Sequence, residues 1–492
     1  MTPFGDFIFF GLLLYAVLPT IVLGLFGRAG RRWLLVVTLA LLAVQYAGEL
    51  EVWPGVEVRE LWIVLGYAVL EGAVAWAFLR WKSRVTFWLA LVLSILPLAI
   101  SKLLPLFATE TVFGFLGISY VTFRAVDVVL SIKDGVVKQL SAAQYLAYLL
   151  FFPTLSSGPI DRYRRFALDW LRTRTRAEFL DDLDFALARV FRGFLYKFIV
   201  AALLYAHWVT PLARQRGFLP MLGLMYADTL YLFFDFAGYS AFAVGLSRLF
   251  GIKTPENFDA PFLSRNIKEF WTRWHISLSF WFRDHVFMRF QLAAAKGKWF
   301  QGKHTASYVG LFVTFGLMGL WHGLALHFIL YGLYHATLLS AYDWFSRWNK
   351  RTKRWGDGPA WRVGNILLTF HAFAFSILLF NGRLTPHAPP LREEVVEKAD
   401  CDEVVGYLWD RAAPGAPRAV DIYLDYAWIA RVPAHEFRDD LRERGLGDGR
   451  LGFRFALPAY VRDGHSHTIG VRRVAPDREL QGSPEVVTCE RE

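Results

Sequence analysis

Long apolar runs separated by short charged loops make up most of the first 384 residues. Runs of about 20 apolar residues are long enough to cross the hydrocarbon core of a bilayer as helices. The first five predicted spans lie at residues 7–26, 33–47, 61–80, 87–104 and 111–130. Further membrane segments are predicted at residues 194–212, 219–250, 305–320, 325–345 and 363–380. The pattern therefore indicates an all-α, polytopic membrane protein.

Shorter apolar pieces interrupt this pattern in the middle of the chain. Tyr145–Phe152 ends in the Pro-, Gly- and Ser-rich turn FFPTLSSGPIDRYRRF, which favours re-entrant or interfacial helices over a full span. Residues 168–192 are amphipathic and predict a helix on the cytoplasmic surface. Glu269–Phe282 predicts one helix with aromatic side chains on several faces, lying flat or buried shallowly.

The chain changes character after Pro386. Asp400–Pro458 holds short runs of alternating apolar and polar residues between Gly, Pro and Asp turns, which is typical of β-strands. We therefore predict three parts. They are a membrane domain at residues 1–384, a linker at 385–399, and a small, mainly β, sandwich-like domain at 400–492.

Composition and charge agree with a membrane protein that carries a separate tail. The chain is 55% hydrophobic and contains 44 Phe and 19 Trp, more than a soluble protein usually carries. Residues 1–384 hold 39 Lys and Arg against 23 Asp and Glu, whereas residues 385–492 hold 15 against 20. Basic residues in a membrane domain mark cytoplasmic loops and anionic headgroups, so the net positive charge does not indicate nucleic-acid binding.

The basic loops also predict the side on which the tail lies. The run at residues 347–362 is strongly basic and therefore cytoplasmic, so the last span leads outward and places the tail in the periplasm. Both cysteines, Cys401 and Cys489, lie in the tail. They are either two unrelated thiols or a disulfide, which requires an oxidising compartment. No metal-ligand cluster can be built from two cysteines alone.

Two histidines in apolar surroundings are the candidate catalytic residues. His322 ends an apolar run in GLMGLWHG, and the following Gly323 permits close approach of a backbone or substrate. An imidazole can take a proton from a hydroxyl near neutral pH, although a histidine hydrogen-bonded between helices is the structural alternative. His275, within WTRWHISLSFWFRDH, belongs either to an interfacial aromatic belt or to the same active site.

Aromatic and charged residues are the candidate substrate contacts, namely Trp274, Arg273, Asp235, Trp321 and Arg283. Asp235 lies in an apolar run and is expected to face a protein interior or a cavity. The alternative is that Asp235 and Asp284 pair with Arg273, Arg283 or Arg289. The sequence has no GxSxG, Walker A or HExxH motif, and no GxGxxG after a strand. The pattern favours a histidine that acts between two delivered substrates.

These motifs resemble those of the membrane-bound O-acyltransferase family. The resemblance extends over about residues 5–384 and rests on GISYVTFRAVD (117–127), FFPTLSSGPIDRYRRF (151–166), LFFDFAGYSAFAVGLSRLFGI (232–252), the block 257–287 and GLMGLWHG (316–323). Within the family, the segments GPIDRYRRF and FWTRWHISLSFWFRDHVF are most similar to D-alanyl transfer proteins of the DltB type. The membrane subunits of alginate O-acetyltransferases come next.

The resemblance implies a ring of tilted helices around a tunnel in the bacterial inner (cytoplasmic) membrane. It implies that an acyl group, with D-alanine as the first expectation, leaves a thioester on the phosphopantetheine of a cytoplasmic acyl carrier protein. No cofactor is expected to be bound. The acceptor is a hydroxyl of a cell-envelope polymer or an intermediary protein, with a DltD-like partner outside. His322 matches the histidine of the family's WHG motif, the expected base, and His275 matches the second family histidine.

Other functions remain open at this point. The tail is similar to a small β-domain appended to bacterial surface-polysaccharide enzymes, so the acceptor need not be a teichoic acid. An exopolysaccharide O-acetyltransferase is the first alternative. A transporter or flippase without acyl chemistry is the second, and internal symmetry, which the sequence does not show, would favour it.

Overall fold

The chain forms two compact units, Met1–Thr385 and Pro386–Glu492. The computed structural model describes residues 3–5, 7–28, 30–46, 59–104, 116–213, 215, 217–356, 358–384, 392–410, 418–425, 427–474 and 477–489. The first unit is helical and the second is built mainly of strands.

The helices of the first unit follow the apolar runs of the sequence. Their bounds are α1 (Phe7–Leu25), α2 (Arg31–Tyr46), α3 (Arg59–Arg80), α4 (Arg84–Leu103), α5 (Ile118–Lys133), α6 (Ala142–Leu149), α7 (Tyr163–Leu171), α8 (Arg176–Phe194), α9 (Ala202–Leu204), α10 (Thr210–Ala213), α11 (Phe218–Leu249), α12 (Ile267–Phe270), α13 (Ile276–Phe282), α14 (Met288–Gly297), α15 (Thr305–His322), α16 (Leu326–Thr352) and α17 (Pro359–Phe380). Three π-helical stretches, Leu195–Ala201, Tyr205–Val209 and Arg283–Phe287, join α8 to α9, α9 to α10 and α13 to α14.

Four described helices are long and apolar enough to cross a membrane: Leu61–Arg80 of α3, then α4, α11 and α17. The predicted fifth span, 111–130, differs in character from these helices. Residues 111–115 lie outside the described part, and the helix that follows, α5, is buried along most of its length, including Arg124 and Asp127. Its apolar residues therefore pack inside the unit instead of facing lipid.

The predicted surface helix at residues 168–192 is in fact two helices, α7 and α8. The break is explained by Thr175, whose side chain accepts a hydrogen bond from the backbone N–H of Glu178 at 3.2 Å. The Glu178 carboxylate accepts from the Thr175 backbone N–H at 2.9 Å, which completes a capping box. Such a box starts a new helix, so the earlier one ends before it.

The predicted helix Glu269–Phe282 is also interrupted, between α12 and α13. The backbone here bonds to an earlier loop instead of continuing the helix: Asp259 N–H donates to the carbonyl of Arg273, and Ile276 N–H donates to that of Asn257, both at 3.0 Å. His275 adopts a left-handed conformation, with φ of +41°, immediately before α13. This conformation is costly for a residue with a side chain, so the surrounding contacts must hold it.

The second unit contains two antiparallel sheets, in the strand orders β1-β2-β6-β5 and β4-β3-β7-β8, with β9 also paired to β7. The strands are β1 (Arg392–Ala399), β2 (Glu403–Asp410), β3 (Ala419–Leu424), β4 (Ala427–Pro433), β5 (Glu436–Phe437), β6 (Arg450–Ala456), β7 (Ser466–Val474), β8 (Asp477–Glu479) and β9 (Glu485–Thr488), with the short helix α18 (Asp439–Glu443) after β5. Apolar residues of both sheets, such as Val404 and Ile422, share one core.

Two predictions about the tail can be compared with this unit. The predicted linker 385–399 is wrong over residues 392–399, because these form β1, which pairs with β2 through contacts such as Val395 opposite Tyr407. Residues 385–391 lie outside the described part. Of the two alternatives for the cysteines, the structure has the disulfide between Cys401 and Cys489, whose Cα atoms are 5.5 Å apart.

Candidate functional site

A cavity of about 280 Å³ lies in the helical unit. Its walls come from distant parts of the chain: the start of α5, the middle of α11, the turn before α13, the end of α15, and parts of α16 and α17. Both predicted catalytic histidines, His275 and His322, line it. Trp274, Trp321 and Asp235 line it as well, so five of the seven predicted site residues meet at one place.

His275 presents an unpaired polar atom at this cavity. The residue is only 7% exposed, and its ring meets that of Phe236 edge-on at 4.8 Å between centroids. The Nε2 atom is buried and has no hydrogen-bond partner in the described part of the chain. An unpaired buried polar atom costs about 1–3 kcal/mol, which a bound ligand with a complementary group removes.

The backbone turn at His275 is held by a buried network of side chains. The Ser277 hydroxyl donates to the Asn257 side-chain oxygen at 2.6 Å and accepts from the backbone N–H of Ile160 at 2.9 Å. The amide nitrogen of Asn257 donates to the Ser240 hydroxyl, on α11, at 3.1 Å. The turn is thereby tied to two other segments, which offsets the cost of its left-handed residue.

His322 is the last residue of α15 and lies among aromatic rings. Its imidazole is 4.4 Å from the Trp321 ring and 4.9 Å from the Phe380 ring, between centroids. The backbone carbonyl of His322 accepts a hydrogen bond from the Lys102 ammonium at 3.3 Å. A cation here is favourable because the last carbonyls of a helix carry partial negative charge.

Three glycines bring α15 close to α16 and so fix the position of His322. A Cβ added at Gly319 would lie 2.4 Å from the carbonyl oxygen of Phe328, and one added at Gly332 would lie 2.3 Å from that of Phe315. At Gly323 a Cβ would lie 2.5 Å from the Phe328 ring. At Gly319 and Gly332 only glycine permits the close approach of the two backbones. At Gly323 the near neighbour is a side-chain ring, so the approach of a backbone or substrate there stays a prediction.

The two tryptophans of the cavity differ in their hydrogen bonding. Trp321 has a buried indole N–H without a partner in the described residues, so it remains available to a ligand. Trp274 is 5% exposed and packs against Phe270 and Phe373, with ring centroids 5.7 Å and 4.6 Å away. It therefore forms a fixed aromatic wall.

Asp235 pairs with Lys197, in the π-helical stretch after α8. The predicted pairing with Arg273 or Arg283 is therefore wrong. The physical reason is position: the π-helical stretch with Lys197 packs closely on α11, where a Cβ at Gly238 would lie 2.8 Å from the Cβ of Lys197. Only Asp235 of this pair lines the cavity, so Lys197 balances its charge from outside the lining.

The predicted contacts Arg273 and Arg283 do not line this cavity. Arg273 forms an ion pair with Glu269 at 2.9 Å and borders a separate surface depression. Arg283 forms an ion pair with Asp284 at 2.8 Å, and its side chain is 52% exposed. Both arginines stand next to an aromatic residue in the sequence, Trp274 and Phe282, but neither side chain lines the cavity.

A buried ion network accounts for much of the remaining charge near α13. The Asp127 carboxylate accepts hydrogen bonds from Arg162 and from the His285 Nε2, both at 2.8 Å. Arg162 also donates to Asp284 at 3.1 Å. These contacts join α5, the segment before α7 and the π-helical stretch after α13. The charges therefore stabilise the fold around the cavity and do not line it.

Comparison with known proteins identifies the family of the helical unit. The sequence model of the membrane-bound O-acyltransferase family matches residues 79–381. The chain belongs to this family. It is a membrane O-acyltransferase, and every cavity residue described above lies within the matched range.

This O-acyltransferase is also similar in sequence to individual known proteins. The teichoic acid D-alanyltransferase of Bacillus subtilis is 42% identical over 79% of this chain and 100% of its own length. That of Streptococcus thermophilus is 38% identical over 78% of this chain and 96% of its own length. The probable alginate O-acetylase AlgI of Pseudomonas syringae pv. tomato is 34% identical, over 46% of this chain and 42% of its own length.

Several polar residues of the O-acyltransferase cavity were missed by the sequence analysis. Tyr120, Ser157 and Tyr239 line it, whereas Asn257 and Ser277 support its wall from behind. The available signal was a polar residue inside an apolar run, as in GISY and FAGYS. Because such residues also occur at ordinary helix contacts, only their convergence in space separates them.

Proposed function

We propose that this O-acyltransferase moves an acyl group, with D-alanine as the first choice, from a carrier-protein thioester to a hydroxyl of the cell envelope. The observation that carries the proposal is the meeting of His275 and His322, from separate segments, at one cavity. The choice of D-alanine is supported by relatives named teichoic acid D-alanyltransferase, which the chain covers over nearly their whole length. The alginate O-acetylases support acetate over less than half of theirs.

His322 is the base in this proposal. Its imidazole takes the proton of the acceptor hydroxyl as the hydroxyl oxygen attacks the thioester carbonyl carbon. A carbon–oxygen bond forms and the carbon–sulfur bond breaks. The proton then passes from the imidazole to the departing thiolate of the phosphopantetheine arm, so the enzyme ends the cycle unchanged. The donor is a substrate delivered by its carrier protein.

The unpaired polar atoms of the cavity suit the developing charge. The indole N–H of Trp321, next to the base in sequence, is placed to donate to the carbonyl oxygen of the acyl group. A donor aimed at an oxygen that becomes negative lowers the barrier most in a dry site. His275 with its free Nε2 orients the acceptor or the acyl group, while Trp274 shapes the wall.

We further propose that the helices enclose a tunnel through the membrane. A second cavity, of about 310 Å³, shares Tyr120 and Trp321 with the first and is lined by Lys102 and Ser156. Movement of the two shared side chains would join the cavities into one passage. The carrier would enter from the cytoplasm and the acceptor from outside, and a narrow passage would exclude competing water.

The proposed location is the bacterial inner membrane, with the second unit in the periplasm. The disulfide between Cys401 and Cys489 supports an oxidising compartment for this unit. On that side it would meet the envelope acceptor or a DltD-like partner protein. The basic run at residues 347–362 supports the same orientation.

The test is transfer by the purified full chain in lipid nanodiscs. Carrier protein is loaded with labelled D-alanine or labelled acetate on its phosphopantetheine, and transfer to teichoic acid or to an exopolysaccharide is followed. We expect D-alanyl transfer, and His322→Ala should lower its rate at least about 100-fold. The matched control is His371→Asn, because His371 is an exposed histidine of α17 outside the cavity.

Each contrary result has a definite meaning. Transfer of acetate but not of D-alanine would replace the proposal by the exopolysaccharide alternative. A folded His322→Ala protein with unchanged transfer would remove the assignment of the base. If no acyl group leaves the carrier with any acceptor, while labelled material crosses the membrane of sealed vesicles, the protein is a transporter.

A further inference from the structure

An amphipathic groove of about 870 Å³ lies between α16 and α17, apart from the histidine cavity. Its long sides are the C-terminal half of α16 and the N-terminal half of α17, and residues at the start of α12 form one flank. The groove shares no lining residue with the histidine cavity. The proposed acyl transfer therefore does not explain it.

The groove changes from apolar to basic along its length. On α16, its wall passes from Leu338 through Phe345 to Lys350. Twelve helical residues rise about 18 Å, compared with about 15 Å for half of the hydrocarbon core of a bilayer. On α17, Asn365 lies towards the basic end and Leu368 follows in the apolar part. Both walls thus carry the same gradient, which suits a molecule with one polar and one apolar end.

Two cations at the basic end have no counter-ion among the described residues. Lys350 and Lys353 both line the groove, and no carboxylate of the described residues lies within 4 Å of either ammonium. The third cation of the groove, Arg265, already forms an ion pair with Glu269 at 3.3 Å. The two lysines therefore leave positive charge that an anion can neutralise.

The loop that carries these charges is preformed. Lys353 ends α16 in a left-handed conformation, and its backbone N–H donates to the Asn349 carbonyl at 2.8 Å. The Asn349 side chain bonds the backbone of Trp355 twice, at 2.9 Å and 2.7 Å. A ligand would therefore meet a basic end whose shape is already fixed, which lowers the entropy lost on binding.

Aromatic residues place this end at the depth of the lipid headgroups. The indole rings of Trp355 and Trp361 lie together at the basic loop, 4.4 Å apart between centroids, and are 37% and 41% exposed. Exposed tryptophans next to lysines are typical of the membrane–water interface. Leu368, within the candidate span α17, is 64% exposed, so the apolar part of the groove opens sideways toward lipid.

We propose that this groove binds one anionic glycerophospholipid. The phosphate lies between Lys350 and Lys353, and one acyl chain lies along Leu338, Phe345 and Leu368. A soluble phosphate compound would leave the apolar length of the groove unfilled. A lipid without net charge would leave the two ammonium groups without a partner. An anionic lipid satisfies both ends at once.

The test is native mass spectrometry of the full-length protein, titrated with phosphatidylglycerol and, separately, with phosphatidylcholine of the same chains. We expect one tightly held phosphatidylglycerol. The double variant Lys350→Gln/Lys353→Asn should bind it about 10- to 30-fold more weakly, since each lysine contributes to the attraction for the anionic headgroup. Asparagine is chosen at position 353 because it tolerates the left-handed backbone conformation. Arg351→Gln/Arg354→Gln is the matched control, because it removes two charges from the same loop but neither residue lines the groove.

A second variant tests the apolar end without changing charge. Ala341→Trp narrows the groove, since Ala341 lines it beside Phe345, and it should weaken phosphatidylglycerol binding while leaving the basic end intact. Equal retention of both lipids, or an equal loss in the control double variant, would overturn the proposal. Displacement of the lipid by millimolar phosphopantetheine alone would assign the groove to a soluble phosphate ligand instead.

Discussion

The hydroxyl of Ser277 donates a hydrogen bond of 2.6 Å to the side-chain oxygen of Asn257. Both residues are buried, and neither lines the histidine cavity. They connect the loop before α12 to the first turn of α13, so they hold the left-handed residue His275 from behind. Asn257 and Ser277 therefore position His275, whereas His275 itself lines the cavity.

We predict that Asn257→Ala lowers the turnover number more than the affinity for the carrier. Loss of the amide removes the acceptor of the Ser277 hydroxyl and the donor to the Ser240 hydroxyl, and so loosens the turn at His275. A shift of about 1 Å can cost about 100-fold in rate. Steady-state kinetics should therefore show kcat reduced about 10- to 100-fold, with KM for the loaded carrier within about twofold.

The control for this prediction is Asn381→Ala. Asn381 donates a side-chain hydrogen bond to Asp228 at 3.0 Å, so the same type of bond is lost outside the cavity. Its kcat should stay close to that of the wild type. An equal fall in kcat for both variants would mean that Asn257 acts only through general stability.

A second prediction concerns the buried Asp127. Its carboxylate accepts hydrogen bonds from Arg162, His285 and the backbone N–H of Tyr163. Asp127→Ala removes the buried one of the two carboxylates that Arg162 contacts and leaves only the more exposed Asp284. Breaking a buried pair in this way costs about 3–5 kcal/mol. We expect a matching loss in the free energy of unfolding, measured by denaturant titration in detergent micelles.

Asp134→Ala is the comparison for this measurement. Asp134 pairs with Arg289 at the surface, and such exposed pairs contribute about 0–1 kcal/mol. Its unfolding curve should therefore lie near that of the wild type. A small effect of Asp127→Ala, similar to that of Asp134→Ala, would contradict the structural role given to the buried network.

The fold was predictable where a single local signal decides it. Apolar length located the helices, and turn residues with alternating polarity located the β-domain. The local sequence pattern was insufficient where the backbone forms hydrogen bonds with a segment distant in the sequence. The helix predicted at Glu269–Phe282 is broken because Asp259 and Ile276 form bonds between the 257–259 loop and the 273–276 turn. Nothing in the local pattern of this aromatic segment reveals that loop.

The site was predictable to the same extent. His275, His322 and their tryptophan neighbours stand out because polar or amphipathic residues are rare in apolar runs. Charge partners do not follow from the sequence in this way. Arg273 and Arg283, in the block rich in charge and aromatic residues, were the expected partners of Asp235. It pairs instead with Lys197, 38 positions earlier, because α11 packs on the π-helical stretch that contains this lysine.

A third prediction concerns the disulfide of the second unit. Cys401 and Cys489 are 88 positions apart, and cross-linking so long a loop restricts the unfolded chain strongly. Removing such a bond typically costs about 2–5 kcal/mol. We expect Cys401→Ser/Cys489→Ser to make the second unit of the full-length protein sensitive to limited proteolysis, while peptides of the helical unit stay protected.

The same cysteines report the side of the membrane. In intact cells without reductant, a bulky maleimide should not label wild-type protein, because both thiols are in the bond. After a membrane-impermeant reductant is added outside the inner membrane, both should react. Labelling without any reductant would contradict the oxidised state, and protection from the impermeant reductant would contradict the periplasmic location.

A fourth prediction concerns the pH dependence of strand β7. Hydrogen bonds with Asp425, at 2.7 Å, and with Asp463, at 3.0 Å, raise the pKa of the His467 imidazole. Backbone and side-chain hydrogen bonds from His465 and His467 lower the pKa of Asp463 to about 2. Both ring nitrogens of His467 face carboxylates, so the arrangement favours the imidazolium ion.

The sign of the effect follows from these directions. A raised histidine pKa adds stability that is present below about pH 6.5, the usual histidine value, and is lost as the pH rises through the folded-state pKa. Hydrogen-exchange protection of peptides from Ser466–Val474, corrected for intrinsic exchange, should therefore fall modestly between pH 6 and pH 8 in the full-length protein. In His467→Gln the corrected protection should no longer change over this range, whereas His435→Gln, at a histidine outside this cluster, should keep the wild-type dependence. A wild-type protein whose protection is the same at both pH values would contradict the coupling of β7 to the protonation of His467.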